Sequence, residues 1–120
     1  MIKICVVDDN PLIVTTVKRA LSALGYSISV ANNLKEFSVL SEKEDFDLVI
    51  TDYYLQDSTA LDIKNRLSNK ENPASILVMT GKDLSSDFGL PLIKKPFSVK
   101  ELREVVQNIL AQRIGGKLGS

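Results

Sequence analysis

The sequence predicts an α/β domain in which a parallel sheet carries helices on both faces. Three observations support this expectation. Four apolar runs and a weaker fifth are separated by segments of helical periodicity. Three of the runs, Ile4-Cys5-Val6-Val7, Leu48-Val49-Ile50-Thr51 and Ile76-Leu77-Val78-Met79, are continuous rather than alternating, as strands buried on both faces of a parallel sheet are. At 120 residues the chain is the size of one domain, able to bury roughly two thirds of its unfolded surface.

The elements follow in order. The first run is stopped by Asp8-Asp9, and Asn10 as N-cap with Pro11 behind it opens a helix. Its apolar face is Ile13, Val17, Ala20, Leu21 and Leu24, and Gly25 closes it. Ser27-Ile28-Ser29-Val30-Ala31 alternates, as a strand near a sheet edge does. Asn33, with Glu36 three residues on, opens a second helix along Leu34, Phe37 and Leu40; Ala60, Ile63 and Leu67 form a third stripe. A short fifth strand is expected at Pro91-Leu92-Ile93-Lys94. The strongest stripe, Val99, Leu102, Val105, Val106, Ile109 and Leu110, comes last, opened by Ser98 with Glu101 as a capping box. Right-handed crossovers turn this alternation into a parallel sheet. Residues 115–120 lack periodicity and are read as a linker or expression-derived tail, which leaves one domain over residues 1–114.

Composition narrows the function. Fifteen basic and 15 acidic residues give a net charge of zero, which argues against nucleic-acid binding through bulk electrostatics. One cysteine cannot form an internal disulfide, and no stretch approaches the roughly 20 apolar residues that span a bilayer, so a cytoplasmic, membrane-free protein is expected. The complete absence of histidine excludes Ser-His-Asp and Cys-His catalysis and His-ligated zinc. Any chemistry must run on Asp, Glu, Lys, Ser or Thr.

In open parallel sheets functional groups collect beyond the carboxyl ends of the strands. Those positions hold Asp8 and Asp9, Asp52, Thr80-Gly81 and Lys95-Pro96-Phe97. Three carboxylates in one place raise one another's pKa values, and Lys95 alone is insufficient compensation, so a divalent metal is expected. An all-oxygen set suits Mg²⁺. Beside a metal and a lysine, Asp52 becomes a candidate nucleophile toward phosphorus.

Val6-Val7-Asp8-Asp9-Asn10-Pro11, Leu48-Val49-Ile50-Thr51-Asp52, Met79-Thr80-Gly81 and Lys94-Lys95-Pro96-Phe97 together resemble the receiver domain of bacterial response regulators, over about residues 2 to 113. The resemblance implies a flavodoxin-like doubly wound five-stranded sheet of order 2-1-3-4-5. It makes Asp52 the phosphoacceptor, with Asp8, Asp9, Asp52 and the main-chain carbonyl of Tyr54 holding Mg²⁺ (or Mn²⁺). Thr80 and Lys95 become the switch and phosphoryl-contact residues, Lys95 preceding a proline often found cis. Tyr54 and Lys82 match positions that modulate dephosphorylation, and their size implies slow self-dephosphorylation. The implied partner is a sensor histidine kinase or histidine phosphotransfer protein. A phosphorylation-dependent homodimer and a C-terminal effector domain beyond residue 114 are further expectations.

Several positions depart from the family pattern. Proline four and glycine eight residues after the acceptor are here Gln56 and Ala60, and the aromatic-switch position is Leu92. Between Thr80 and the fifth strand only residues 81–90 remain, so the helix usual there is expected to be shortened or absent. Competing readings are a phosphorylation-independent pseudo-receiver, a haloacid-dehalogenase-type phosphatase and a flavin or nucleotide binder. The phosphatase needs Asp-x-Asp after the first strand, where this chain has Asp8-Asp9-Asn10, and the binder needs a Gly/Ser/Thr-rich phosphate loop there. Simpler roles also exist: Asp8-Asp9 as a helix-start pair, Thr80 as a strand-end residue, and Cys5 as a small buried hydrophobe.

Overall fold

The computed structural model describes residues 1–81 and 89–119, of which 114–119 are described by their backbone alone. β1 (Lys3–Val7), α1 (Pro11–Ser22), β2 (Ser27–Ala31), α2 (Leu34–Lys43), β3 (Leu48–Asp52), α3 (Ala60–Leu67), β4 (Ser75–Thr80), β5 (Leu92–Lys94) and α4 (Val99–Gly119) follow one another along the chain. The strands form one parallel sheet of order β2-β1-β3-β4-β5. Both the order and the flavodoxin-like class agree with the expectation from sequence.

Burial follows position in the sheet. β1, β3 and β4 have neighbours on both sides and are buried at all but one terminal residue each, whereas edge strand β2 is only partly buried at four of its five positions. The continuous and alternating apolar patterns therefore reported central and edge strands correctly.

Because side chains alternate across a strand, each central strand feeds two cores. Ile4, Val6, Ile50, Leu77 and Met79 pack with Val17 and Leu21 of α1 and with Leu102 and Val106 of α4. Cys5, Val7, Val49 and Val78 pack on the other face with Phe37 of α2 and with Ile63 and Leu67 of α3. The Arg103 Nε donates to the Ala20 carbonyl at 2.9 Å, joining α4 to α1.

The helix ends are chemically closed. The Asn10 side chain accepts from the Leu12 and Ile13 amides ahead of Pro11. Gly25 takes φ +88°, the left-handed conformation that ends a helix without a Cβ penalty, and its amide donates to the Ser22 carbonyl at 2.9 Å. Asn33 caps α2 through the Glu36 amide at 2.9 Å, while the Glu36 carboxylate turns to Asn32. Thr59 and Asp62 form a reciprocal capping box on α3 that the sequence reading had not picked out. On α4 the Glu101 amide donates to the Ser98 Oγ at 3.0 Å, and the backbone helix runs on to Gly119, past the last periodic apolar residue, Leu110.

Four helices lie among the described residues. The expected shortening of a helix between β4 and β5 concerns residues 82–88, which lie outside them.

Two measurable consequences follow from this packing. Burial, with a smaller contribution from the Glu44 carboxylate, pushes the Cys5 thiol up to about 12. A disulfide exchange reagent at pH 8 should leave the native protein untouched and titrate the thiol only in denaturant. Ile50 is wholly buried in the middle of the sheet, so Ile50→Ala should lower unfolding stability by about 2–5 kcal/mol in a denaturant titration.

Candidate functional site

Parallel registry brings the carboxyl ends of four strands level. Val7 pairs with Thr51, Asp52 with Met79, and Thr80 with Lys94, so the residues that follow emerge along one edge of the sheet. There the Lys95 Nζ lies 3.1 Å from Asp8 Oδ2 and 3.6 Å from Asp52 Oδ1. The Asp8 carboxylate is fully buried, and its Oδ1 accepts the Asn10 amide at 2.9 Å. The buried Thr80 ends β4 beside them, and its carbonyl accepts the Lys95 amide at 2.7 Å. The Lys95–Pro96 peptide is cis, and Phe97 packs against the core beneath α1 and α4.

The electrostatics are not balanced within this group. Burial raises the Asp52 pKa above the usual carboxylate value; Lys95 pulls it down, Asp8 pushes it up, and the Tyr53 amide lowers it. The net upward shift means that burial outweighs the favourable Lys95 charge, which itself exceeds the repulsion from Asp8. Asp9 is exposed, immediately after the buried Asp8. Among the described residues no set of three Asp, Glu, Cys or His side chains already stands in a metal-holding arrangement. Two carboxylates meet across Lys95, and Asp9 faces solvent. The side chains at this edge able to hold a hard cation are Asp8, Asp9 and Asp52, an all-oxygen set.

The segment after Asp52 is a tightly closed loop. The Tyr53 amide donates to the Met79 carbonyl at 3.1 Å, which carries the ladder one step beyond β3. Tyr54 bridges Thr59, the Leu55 amide donates to the Ser58 carbonyl at 2.9 Å, and the Ala60 amide donates to the Tyr53 carbonyl at 2.8 Å. Gln56 thus sits in a turn closed by main-chain bonds, and Ala60 is wholly buried at the start of α3. The Tyr54 side chain is 53% exposed, and its ring meets that of Tyr53 edge-on at 4.7 Å. Leu92 is partly buried against the core beneath α2 and α3. Lys82 lies outside the described residues.

One residue of this loop was missed by the sequence reading. Asp57 accepts hydrogen bonds from the Leu34 and Lys35 amides, at 3.1 and 3.3 Å, across a separation of more than twenty residues. No local periodicity signals such a contact. A groove of about 500 Å³ lined by Leu67, Ala74, Ile76, Leu90 and Ile109 lies near the opposite end of β4 and includes none of these residues.

The response regulator receiver domain family matches residues 4–107. The alkaline phosphatase synthesis transcriptional regulatory protein PhoP of Bacillus subtilis is 33% identical over 115 residues, covering 90% of this chain and 48% of that protein. The chain spans less than half the length of the curated relatives it matches. Among solved structures, the chemotaxis response regulator CheY4 of Vibrio cholerae superposes with a TM-score of 0.82 at 24% identity, covering 91% of this chain and 98% of that one. A response regulator from Burkholderia pseudomallei, with a phosphorylated aspartic acid, a calcium ion and citrate, superposes at 0.78 with 24% identity over 98% of this chain and 73% of that one. With the family matched from strand β1 into helix α4, and with a fold superposing on solved receivers, this chain belongs to the response regulator receiver domain family.

Proposed function

We propose that the chain is a phosphoacceptor switch that takes a phosphoryl group from a partner phosphohistidine onto Asp52. The observation that carries this reading is the Lys95 ammonium held between Asp8 and Asp52, with the Asp52 pKa still raised. In the transfer an Asp52 carboxylate oxygen forms a bond to phosphorus as the bond from phosphorus to the donor's imidazole nitrogen breaks. The electron pair stays on that nitrogen, which takes up a proton. The absence of histidine from this chain suits a reaction in which the donor imidazole belongs to another protein, a sensor histidine kinase or a histidine phosphotransfer protein.

The reading gives Lys95 and Thr80 the phosphoryl oxygens, the ammonium meeting charge and the hydroxyl donating a hydrogen bond. Asp8, Asp9, Asp52 and the Tyr54 main-chain carbonyl would hold Mg²⁺ or Mn²⁺, which supplies charge neutralisation at the phosphoryl group. The donor set fits: it is all oxygen, and a hard cation would offset the burial that disfavours the ionised Asp52 carboxylate. Tyr54 and Lys82 would slow the approach of water to the acyl phosphate.

Family membership makes this a signalling domain rather than a catalyst acting on a free substrate. Phosphorylation would bias two pre-existing states of an output surface. With Leu92 at the aromatic-switch position, no ring moves there, and the response to Thr80 would pass through aliphatic packing on the α2–α3 side. The domain would occupy residues 1–114, its output being a C-terminal effector domain or a phosphorylation-dependent homodimer.

Two experiments test the reading. Acetyl phosphate or beryllofluoride with Mg²⁺ should give an adduct, read by mass, that is absent in Asp52→Asn and after chelation with EDTA; an adduct persisting in Asp52→Asn would sink the assignment. The second is a linkage test. An acid whose pKa is higher folded than unfolded penalises the fold when ionised, and the penalty disappears as pH falls through the folded pKa. In metal-free buffer at pH 7, Asp52→Asn should therefore melt a few degrees above wild type. The gap should close on acidification through the window above the ordinary value of 3.8.

A further inference from the structure

Resting on the reading that Asp52 is phosphorylated beside a divalent cation, we infer that Asp57 is a positioning residue for that chemistry, fastening the loop after Asp52 to the N-terminus of α2. The bonds within the loop, from Leu55 to Ser58, from Ala60 to Tyr53 and across the Tyr54–Thr59 bridge, fix its internal shape. They do not fix where its tip lies relative to the sheet. That is set at the base, where Tyr53 joins the β4 ladder and Ala60 is buried, and at the tip, where both Asp57 oxygens accept backbone amides of α2.

The amides of Leu34 and Lys35 belong to the first turn of α2, whose donors have no carbonyl partner within the helix. The cap residue Asn33 is already engaged with the Glu36 amide. The two capping side chains therefore divide the donors between them, one local and one supplied by the acceptor loop. A carboxylate here also meets the positive end of the helix dipole, so the bonds are charge-assisted. Nothing in the covalent chain does this work: Gln56 imposes no fixed φ, as a proline at that position would.

Tyr54 lies on the loop arm between these two anchors, two residues after Asp52 and three before Asp57. Its carbonyl is the one proposed metal ligand that comes from the main chain rather than from a side chain able to adjust. Release of the tip would let that carbonyl wander, weakening cation binding without altering a single side-chain ligand. A role of this kind is separable from general support of α2, because Asn33 supports the same helix end without touching the loop.

The test uses the full chain and Mg²⁺ alone as probe, with binding read by calorimetry and by the fluorescence of the three tyrosines, which no tryptophan obscures. Asp57→Ala should weaken Mg²⁺ binding about tenfold, as loss of an outer-sphere partner typically does. Asp57→Asn, which keeps one neutral acceptor, should fall between. Asn33→Ala should lower the melting temperature yet bind Mg²⁺ like wild type. With acetyl phosphate as donor, Asp57→Ala should raise the Mg²⁺ concentration for half-maximal phosphorylation while leaving the rate at saturating Mg²⁺ unchanged. Wild-type Mg²⁺ affinity in Asp57→Ala overturns the inference, and so does an equal loss in Asn33→Ala, which would reduce Asp57 to a helix cap. Should Asp57→Ala fail to fold, Asp57→Asn against Asn33→Ala is judged by the same two criteria. A wild type that neither binds Mg²⁺ nor accepts phosphoryl overturns the proposed function itself, a result distinct from either.

Discussion

A buried carboxylate needs a cation, and the ion pair between Asp8 and Lys95, 87 residues apart, is the contact on which the site edge depends. Asp8 is buried, and its carboxylate is met by the Lys95 ammonium and the Asn10 amide. The pair can form only if β1 and β5 finish level, and that requires every intervening ladder to be in register. A one-residue slip in β3 would turn Asp52 to the other face and exchange its apolar side chains between the two cores. Sheet registry and site geometry are thus a single constraint: the register that packs each strand into its two cores also brings Asp8, Asp52 and Lys95 together.

A second constraint acts around α2. This helix buries only Phe37 and Ser41, so packing alone holds it lightly. Charge closes both its ends. Asp57 meets the amides at its N-terminus, and the Lys70 ammonium donates to the Ser41 and Glu44 carbonyls at its C-terminus while pairing with Asp45. An anion at the start and a cation at the end are the signs the helix dipole favours. Both come from loops flanking α3, the first leading in from the acceptor and the second leading out. α2 and α3 are therefore coupled at their ends more than along their lengths, and the acceptor loop is one of the two couplings.

What could be read from sequence divides along the same line. Strand identity and the caps at Asn10, Asn33 and Ser98 were legible because each is local or periodic: a run of apolar residues, or a short polar side chain at a fixed offset; the sheet order came from the family resemblance instead. Asp8, Asp52, Thr80 and Lys95 were legible as an edge cluster because each directly follows a strand whose end could be seen. The structure brings Asp8, Asp52 and Lys95 into contact, whereas Asp9 faces solvent; burial distinguishes these adjacent aspartates, and sequence spacing does not. Asp57 was invisible for another reason. Its partners are backbone amides, which have no residue identity, and the contact reaches across α2 and β3 to the loop beyond. The extension of α4 to Gly119 also carried no signal, since glycines near a helix end normally mark its stop.

Among the described carboxylates, the resolved shifts set this edge apart. Asp45 is held below its ordinary pKa by the Lys70 hydrogen bond and charge. Asp57 is lowered as well, burial being outweighed by the Leu34 and Lys35 amides and the Ser58 hydroxyl together. Among the described carboxylates with a resolved shift, Asp52 alone is raised. Asp45 and Asp57 are met by donors that lower them, whereas at Asp52 burial outweighs the Lys95 ammonium and the Tyr53 amide. Departures of this kind from local consistency concentrate where a protein does something other than fold. On the proposed reading, cation and phosphoryl group would cooperate at this partly buried carboxylate. A cation bound there lowers the electrostatic cost of bringing in a phosphoryl group, and by linkage the phosphoryl group must tighten the cation in equal measure. On that reading, whatever holds the cation's ligands in place would govern how strongly phosphorylation is coupled to the rest of the domain, and the loop joining Asp52 to the start of α2 would be where that coupling leaves the sheet.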